Sequence, residues 1–258
     1  MWFWRAGSDL GIDLGTATVL VYVKGKGVVL KEPSVVAINR NNNKVLAVGE
    51  EARKMIGRTP GNIIAVRPLR DGVISDYDIT EKMLKSFIKK ALGKRRVIAP
   101  RVVVCIPSEA TEVEKRAFYE VVAKSDIKAR EIKIVEKPIA DAVGLGIDIS
   151  SSKGNMIVNI GADTTEVSII SHGGIVISRI VKIGGNMLDQ LICESVKKRY
   201  NILIGLKTAE KIKIALSDAM YVEDGVTDED IFYVYGRNVI TGLPSERGIS
   251  KDTVYEAI

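Results

Sequence analysis

The chain has 258 residues, 46% of them hydrophobic and 27% charged, which suits a soluble globular protein of one or two domains with a sizeable core. Lys and Arg outnumber Asp and Glu by 38 to 32, a mild excess spread along the chain. That argues against a nucleic-acid partner, which needs a denser basic face, and favours a solvated basic surface or one drawn to anionic lipid. No apolar stretch is long enough to span a bilayer, no signal peptide is evident, and Cys105 and Cys193 stand far apart in apolar runs, as buried free thiols do.

Met1-Trp2-Phe3-Trp4-Arg5 opens the chain with both of its tryptophans beside a cation. A short aromatic tip of this kind suits the headgroup boundary of a membrane. Residues 9–39 read as consecutive strands, with Leu10–Asp13 running into a Gly15-Thr16 turn, Val19–Val23 returning, and Ser34–Ile38 following. Helical periodicity covers Thr80–Leu92. Arg95-Arg96-Val97-Ile98 falls in a loop, and Val97 and Ile98 join Trp2, Phe3 and Trp4 as the predicted membrane-contacting residues. Val102–Ile106 is a strand ended by Pro107, Thr111 leads a helix to about Lys124, Glu131–Val135 is a strand, and Pro138 fits the first turn of a helix reaching Gly146.

The pattern then restarts. Met156–Ile160 is a strand, Gly161–Thr164 a turn, and Glu166–Ile170 the return strand. His172, the only histidine, sits in a further turn before the strand Ile175–Ile183. Gly184-Gly185 precedes a helix to Tyr200, Thr208 begins another, and Ser250 starts a last one. Strand, glycine turn, strand occurs at Asp13–Ala17 and again at Asn159–Thr164, and helices alternate with strands after each. Such a duplication predicts two related α/β domains, residues 9–146 and 147–258, after a tip at residues 1–8.

Two glycine turns that aim backbone N–H groups at one point would grip a polyphosphate from both sides. Gly15, Thr16, Ala17 and Thr18 form the first cradle; Gly161, Ala162, Asp163 and Thr164 form the second. Asp13 would face the accompanying metal, since Mg²⁺ prefers one or two carboxylates and keeps most of its waters.

Several segments carry a closer likeness. Gly11–Ala17, Lys24–Gly27, Glu32–Ala37, Arg67–Ile74, Tyr200–Gly205, Thr208–Lys213 and Thr241–Pro244 resemble the MreB family of bacterial actin homologues from about residue 9 onward. The resemblance implies an actin-like fold of two ribonuclease-H-like mixed sheets with helices around a nucleotide cleft, the second domain incomplete at its C-terminal end. It implies ATP and Mg²⁺ as cofactors, and a filament involved in cell shape. The partners would be the protein itself, paralogous subunits, the inner face of the cell membrane and morphogenesis membrane proteins. It assigns Gly184-Gly185 to a helix start near the phosphates, and Glu210 and Lys213 to the ribose and adenine side. A soluble kinase or a chaperone-type ATPase of the same superfamily is the alternative.

The chain departs from the family pattern inside the site. Lys137, after Glu136, stands where the family has the acid that orients the attacking water, and Asn159 where the second hairpin begins with Asp. Ala162 and Asp163 replace glycines. Ala162 would strain a turn of positive φ, and an ion pair between Lys137 and Asp163 would offset the latter's charge. A charged lysine accepts no proton, so hydrolysis is expected to be impaired, with Glu136 the remaining candidate acid.

Overall fold

The computed structural model describes residues 9–57, 61–93, 99–217 and 231–258. Alternating apolar residues bury one face of each of the first strands, β1 (Leu10–Leu14), β2 (Thr18–Val23) and β3 (Gly27–Pro33). A small sheet follows, built from β4 (Val36–Asn39), β5 (Lys44–Val48) and β6 (Ile63–Val66), with helix α1 (Glu50–Met55) between the last two. Only its first strand was legible in the sequence. A ribbon of β7 (Leu69–Arg70) and β8 (Val73–Ile74) turns at Asp71-Gly72.

Helix α2 (Tyr77–Leu92) starts a turn earlier than its apolar stripe suggests, because Asp76 caps it, accepting from the Ile79 N–H at 3.0 Å. Then come β9 (Arg101–Ile106), α3 (Glu112–Ala123) behind a Thr111/Glu114 capping box, β10 (Glu131–Glu136) and α4 (Lys137–Gly144). The mixed five-stranded sheet runs β10-β9-β1-β2-β3, with β9 parallel to both β1 and β10. Met83, Leu84 and Phe87 of α2 and Phe118 and Val121 of α3 belong to its core. A three-stranded antiparallel sheet follows, made of β11 (Asn155–Ile160), β12 (Thr165–Ser171) and β13 (Gly174–Val181). It packs Ile157 and Ile170 on Ala142 of α4. His172 turns the β12–β13 connection at φ 51°.

Packing divides the chain between Lys182 and Ile183. The second unit holds α5 (Gly185–Tyr200), β14 (Ile202–Leu203), α6 (Leu206–Leu216), β15 (Ile231–Asn238), β16 (Pro244–Ser250) and α7 (Lys251–Tyr255). Its core joins Ile192 and Val196 of α5, Ile212 of α6, Val234, Ile249 and Val254. The β15–β16 hairpin has no counterpart in the sequence reading.

Candidate functional site

Both glycine turns lie in the first unit and share one construction. The Gly15 N–H donates to the Thr18 carbonyl at 3.1 Å, and the Gly161 N–H to the Thr164 carbonyl at 2.8 Å. A Cβ at Gly15 would stand 2.7 Å from the Thr18 oxygen, and one at Gly161 would stand 2.9 Å from the Thr164 oxygen. Backbone oxygens cannot swing aside, so any side chain would pry the turn open. Neither glycine nor Ala162 has positive φ, so the need for glycine is steric and the strain anticipated at Ala162 does not arise. Ser34, fully buried, holds the first turn from behind: its hydroxyl donates to the Gly15 carbonyl at 2.5 Å and its N–H to the Ala17 carbonyl at 2.9 Å.

The Asp71-Gly72 turn reaches both cradles. The Gly72 N–H donates to Thr16 Oγ1 at 3.2 Å, and the Asp71 N–H donates to Asp163 Oδ2 at 3.0 Å. A Cβ on Gly72 would lie 3.8 Å from Thr164 Oγ1, and the residue's φ of +82° favours glycine independently. Lys182 Nζ donates to Asp71 Oδ2 at 3.0 Å. The two turns therefore face one short ribbon, and the Thr16 hydroxyl, accepting from Gly72, still has its own proton to donate. Behind the second turn, the buried carboxylate of Glu166 accepts the Ser108 N–H at 3.0 Å and ties β12 to the loop after β9.

Charges gather where β1 meets α4. Lys137 Nζ lies 3.2 Å from Asp13 Oδ1, an oxygen shut off from solvent that makes no well-aligned hydrogen bond. The foreseen pairing of Lys137 with Asp163 is thus replaced by Lys137 with Asp13, and Asp163 rests on the Asp71 N–H instead. Asn159 Nδ2 donates to Asp141 Oδ2 at 2.5 Å. Asp141 went unnoticed in the sequence; its signal was the four-residue spacing from Lys137, which sets both on one face of α4. Cys105 sits opposite Asp13 in the β1–β9 register. Burial pushes its thiol up to about 11, the Asp13 and Asp141 charges push the same way, and Lys137 opposes them. Glu136 ends β10 beside this group, and its charge is felt by Lys115 of α3.

These groups fit a divalent ion poorly. Mg²⁺ needs carboxylate oxygens and waters at about 2.0–2.1 Å in near-octahedral order. At Asp13 an ammonium already occupies the approach to Oδ1, and Asn159 contributes no charge. Among the described residues no cluster of three or more His, Cys, Asp or Glu side chains is arranged to hold a metal ion.

In the second unit, Gly184 caps α5 with no side-chain hydrogen bond. Lys213 is committed within the unit: its Nζ lies 2.7 Å from Asp189 Oδ1 and donates to the Gly185 carbonyl at 2.8 Å. Glu210, one turn before it on α6, is exposed.

Comparison with known proteins is decisive on kinship. The model of the MreB/Mbl protein family matches residues 7–258. The chain belongs to the MreB/Mbl family. It is 48% identical over 250 residues to the cell shape-determining protein Mbl of Bacillus cereus, covering 97% of this chain and 73% of that protein. Crystal structures of MreB5 of Spiroplasma citri are also similar. The ADP-bound form has a TM-score of 0.88 at 36% identity over 98% of this chain and 74% of that one, and an AMPPNP-bound form scores 0.87. The MamK double helical filament subunit shares the fold, with a TM-score of 0.75 at 21% identity over 97% of this chain and 74% of that one.

MreB/Mbl membership establishes the actin-like fold and sets aside the kinase and chaperone alternatives. The predicted membrane residues Trp2, Phe3, Trp4, Val97 and Ile98 lie outside the described residues. Among the described residues no helix is long and apolar enough to cross a membrane.

Proposed function

We propose that this chain is a nucleotide-binding, filament-forming cytoskeletal protein of the cell-shape class that binds ATP and hydrolyses it slowly. The observation that carries the reading is the pair of like-built turns at Gly15 and Gly161, both reaching the Asp71-Gly72 ribbon. Backbone N–H groups outside the strand ladders and the Thr16 and Thr164 hydroxyls would hold the phosphates. Binding of ADP and AMPPNP by the Spiroplasma MreB5 relative supports nucleotide as the ligand. Gly184-Gly185, Glu210 and Lys213 are assigned to nucleotide by the resemblance alone; with Lys213 held by Asp189, its part is to fix the start of α5. The lobes are read as residues 9–146 and 147–258.

Slow hydrolysis follows from the chemistry of the pair at the start of α4. Lys137 cannot take the proton of an attacking water while charged, the Asn159 amide cannot, and the Asp141 carboxylate is engaged by Asn159. Phosphate release should be slow in the wild type and rise about tenfold or more in Lys137→Glu, within the range of a restored general base. A wild type as fast as an Mbl measured beside it would refute the slow-hydrolysis claim.

For assembly, the chain is expected to pellet with nucleotide and to form paired protofilaments in electron micrographs. A chain that stays monomeric at high concentration with every nucleotide overturns the polymer reading. Peripheral attachment at the inner membrane face rests on the Trp2-Phe3-Trp4 tip.

A further inference from the structure

The ion pair between Lys137 and Asp13 has a consequence for how nucleotide charge is balanced. A nucleoside triphosphate brings several negative charges to a pair of backbone cradles, and those charges must be met by a cation. By the family resemblance, carboxylates at the positions of Asp13 and Asn159 help hold the metal and one at the position of Lys137 orients the attacking water. This chain keeps one of them. Its place-holder at 137 is an ammonium 3.2 Å from Asp13 Oδ1, and the amide at 159 is bound to Asp141. Asp13 lies two residues before the Gly15 turn, and the ammonium lies beside its carboxylate.

We propose that Lys137 serves as a built-in counter-cation for the nucleotide phosphates, so that this protein binds nucleotide without a divalent metal; the inference rests on the nucleotide reading above. Three observations converge. Asp13 Oδ1 is screened from water and makes no hydrogen bond, and the Lys137 ammonium lies 3.2 Å from it. The Lys137 ammonium stands beside Asp13, so a doubly charged ion approaching that carboxylate would meet a cation that repels it. The Lys137 side chain is only 21% exposed and begins α4, which packs through Ala142 on Ile157 of β11 and Ile170 of β12. An ammonium has three donors: one for Asp13, and others for phosphate oxygens. Lysine is a common phosphate partner as a point charge.

The test is direct titration of the full chain with a fluorescent ATP analogue, in Mg²⁺ and in EDTA, with the wild type and Lys137→Glu. Folding of the variant is checked by its circular-dichroism melt, and the wild-type arm stands without it. The wild-type dissociation constant should differ by less than about threefold between the two buffers, and Lys137→Glu should weaken by about tenfold or more when Mg²⁺ is removed. A wild type that weakens by more than that threefold limit in EDTA overturns the inference and leaves the nucleotide reading standing. A folded Lys137→Glu as indifferent to Mg²⁺ as the wild type overturns it too, since lysine would not be the reason. Binding in neither buffer removes both readings together.

Discussion

The thiol of Cys105 reports on the charges at the end of β1. Its unfolded counterpart ionises near 9.0 and the folded one near 11, so the folded state keeps the proton across that window. The stability this group lends is fully present below pH 9 and is lost as pH rises to 11. The loss is about 2–3 kcal/mol by linkage. Denaturant melts of a Cys193→Ser background should fall over that interval, and a further Cys105→Ala change should flatten the curve. Thiolate absorbance appearing near pH 9 in the folded protein would contradict the burial seen around Cys105. Single residues were also where sequence reading was weakest. Asp13, Lys137 and Asn159 stood out as types, but their partners did not, because each contact spans segments far apart in the chain. Nothing local in Lys137-Pro138 says whether the ammonium meets Asp13 or Asp163.

At the scale of elements, the two hairpin turns make matched demands and so matched predictions. Gly15→Ala drives a methyl against the Thr18 carbonyl, and Gly161→Ala does the same at Thr164. Each should cost about 1–3 kcal/mol, as overpacking does, and each should weaken nucleotide binding well beyond what the stability loss explains. Thermal melts and analogue titration on the same preparations separate the two effects; an alanine variant with unchanged affinity would remove that turn from the phosphate site. Strands β1, β2, β9 and β10, the β11–β13 sheet and both long helices of the first unit were legible, since alternation and the 3.6-residue period survive wherever one face is buried. The β4–β6 sheet was legible only at its first strand. Its partners are short, and β5 and β6 are at most half buried, so their alternation is faint. The Asp71-Gly72 turn was not read from the sequence although it is an Asp-Gly dipeptide, and its place between two distant hairpins is a tertiary fact with a separation of 92 residues at its Asp163 bond.

For the whole molecule, the proposal of membrane attachment rests on the formal charge of +6 and the aromatic tip. Co-sedimentation with anionic vesicles should fall with added salt, because surface attraction is screened within about 8–10 Å at physiological ionic strength. Deleting residues 2–5 should remove most of what remains; unchanged binding after the deletion would discard the tip as an anchor. The division at Lys182 and Ile183 shows why domain reading from repeats and packing differ in kind. The repeated pattern puts a boundary before β11, whereas Ser108 and Asp71 hydrogen-bond Glu166 and Asp163 of the second hairpin and keep it with the first unit.

One feature of β11 bears on every assay of assembly. Among the described residues this strand has a neighbour on one side only, and it turns Met156, Val158 and Ile160 outward at 68%, 51% and 72% exposure. A bare, greasy rim of this sort is a template for amyloid-like stacking. Sediment formed that way would stain with thioflavin T and ignore whether ATP is present. Replacing Val158 with lysine should suppress such precipitate while leaving nucleotide-gated polymer intact, which gives the two kinds of pellet separate signatures.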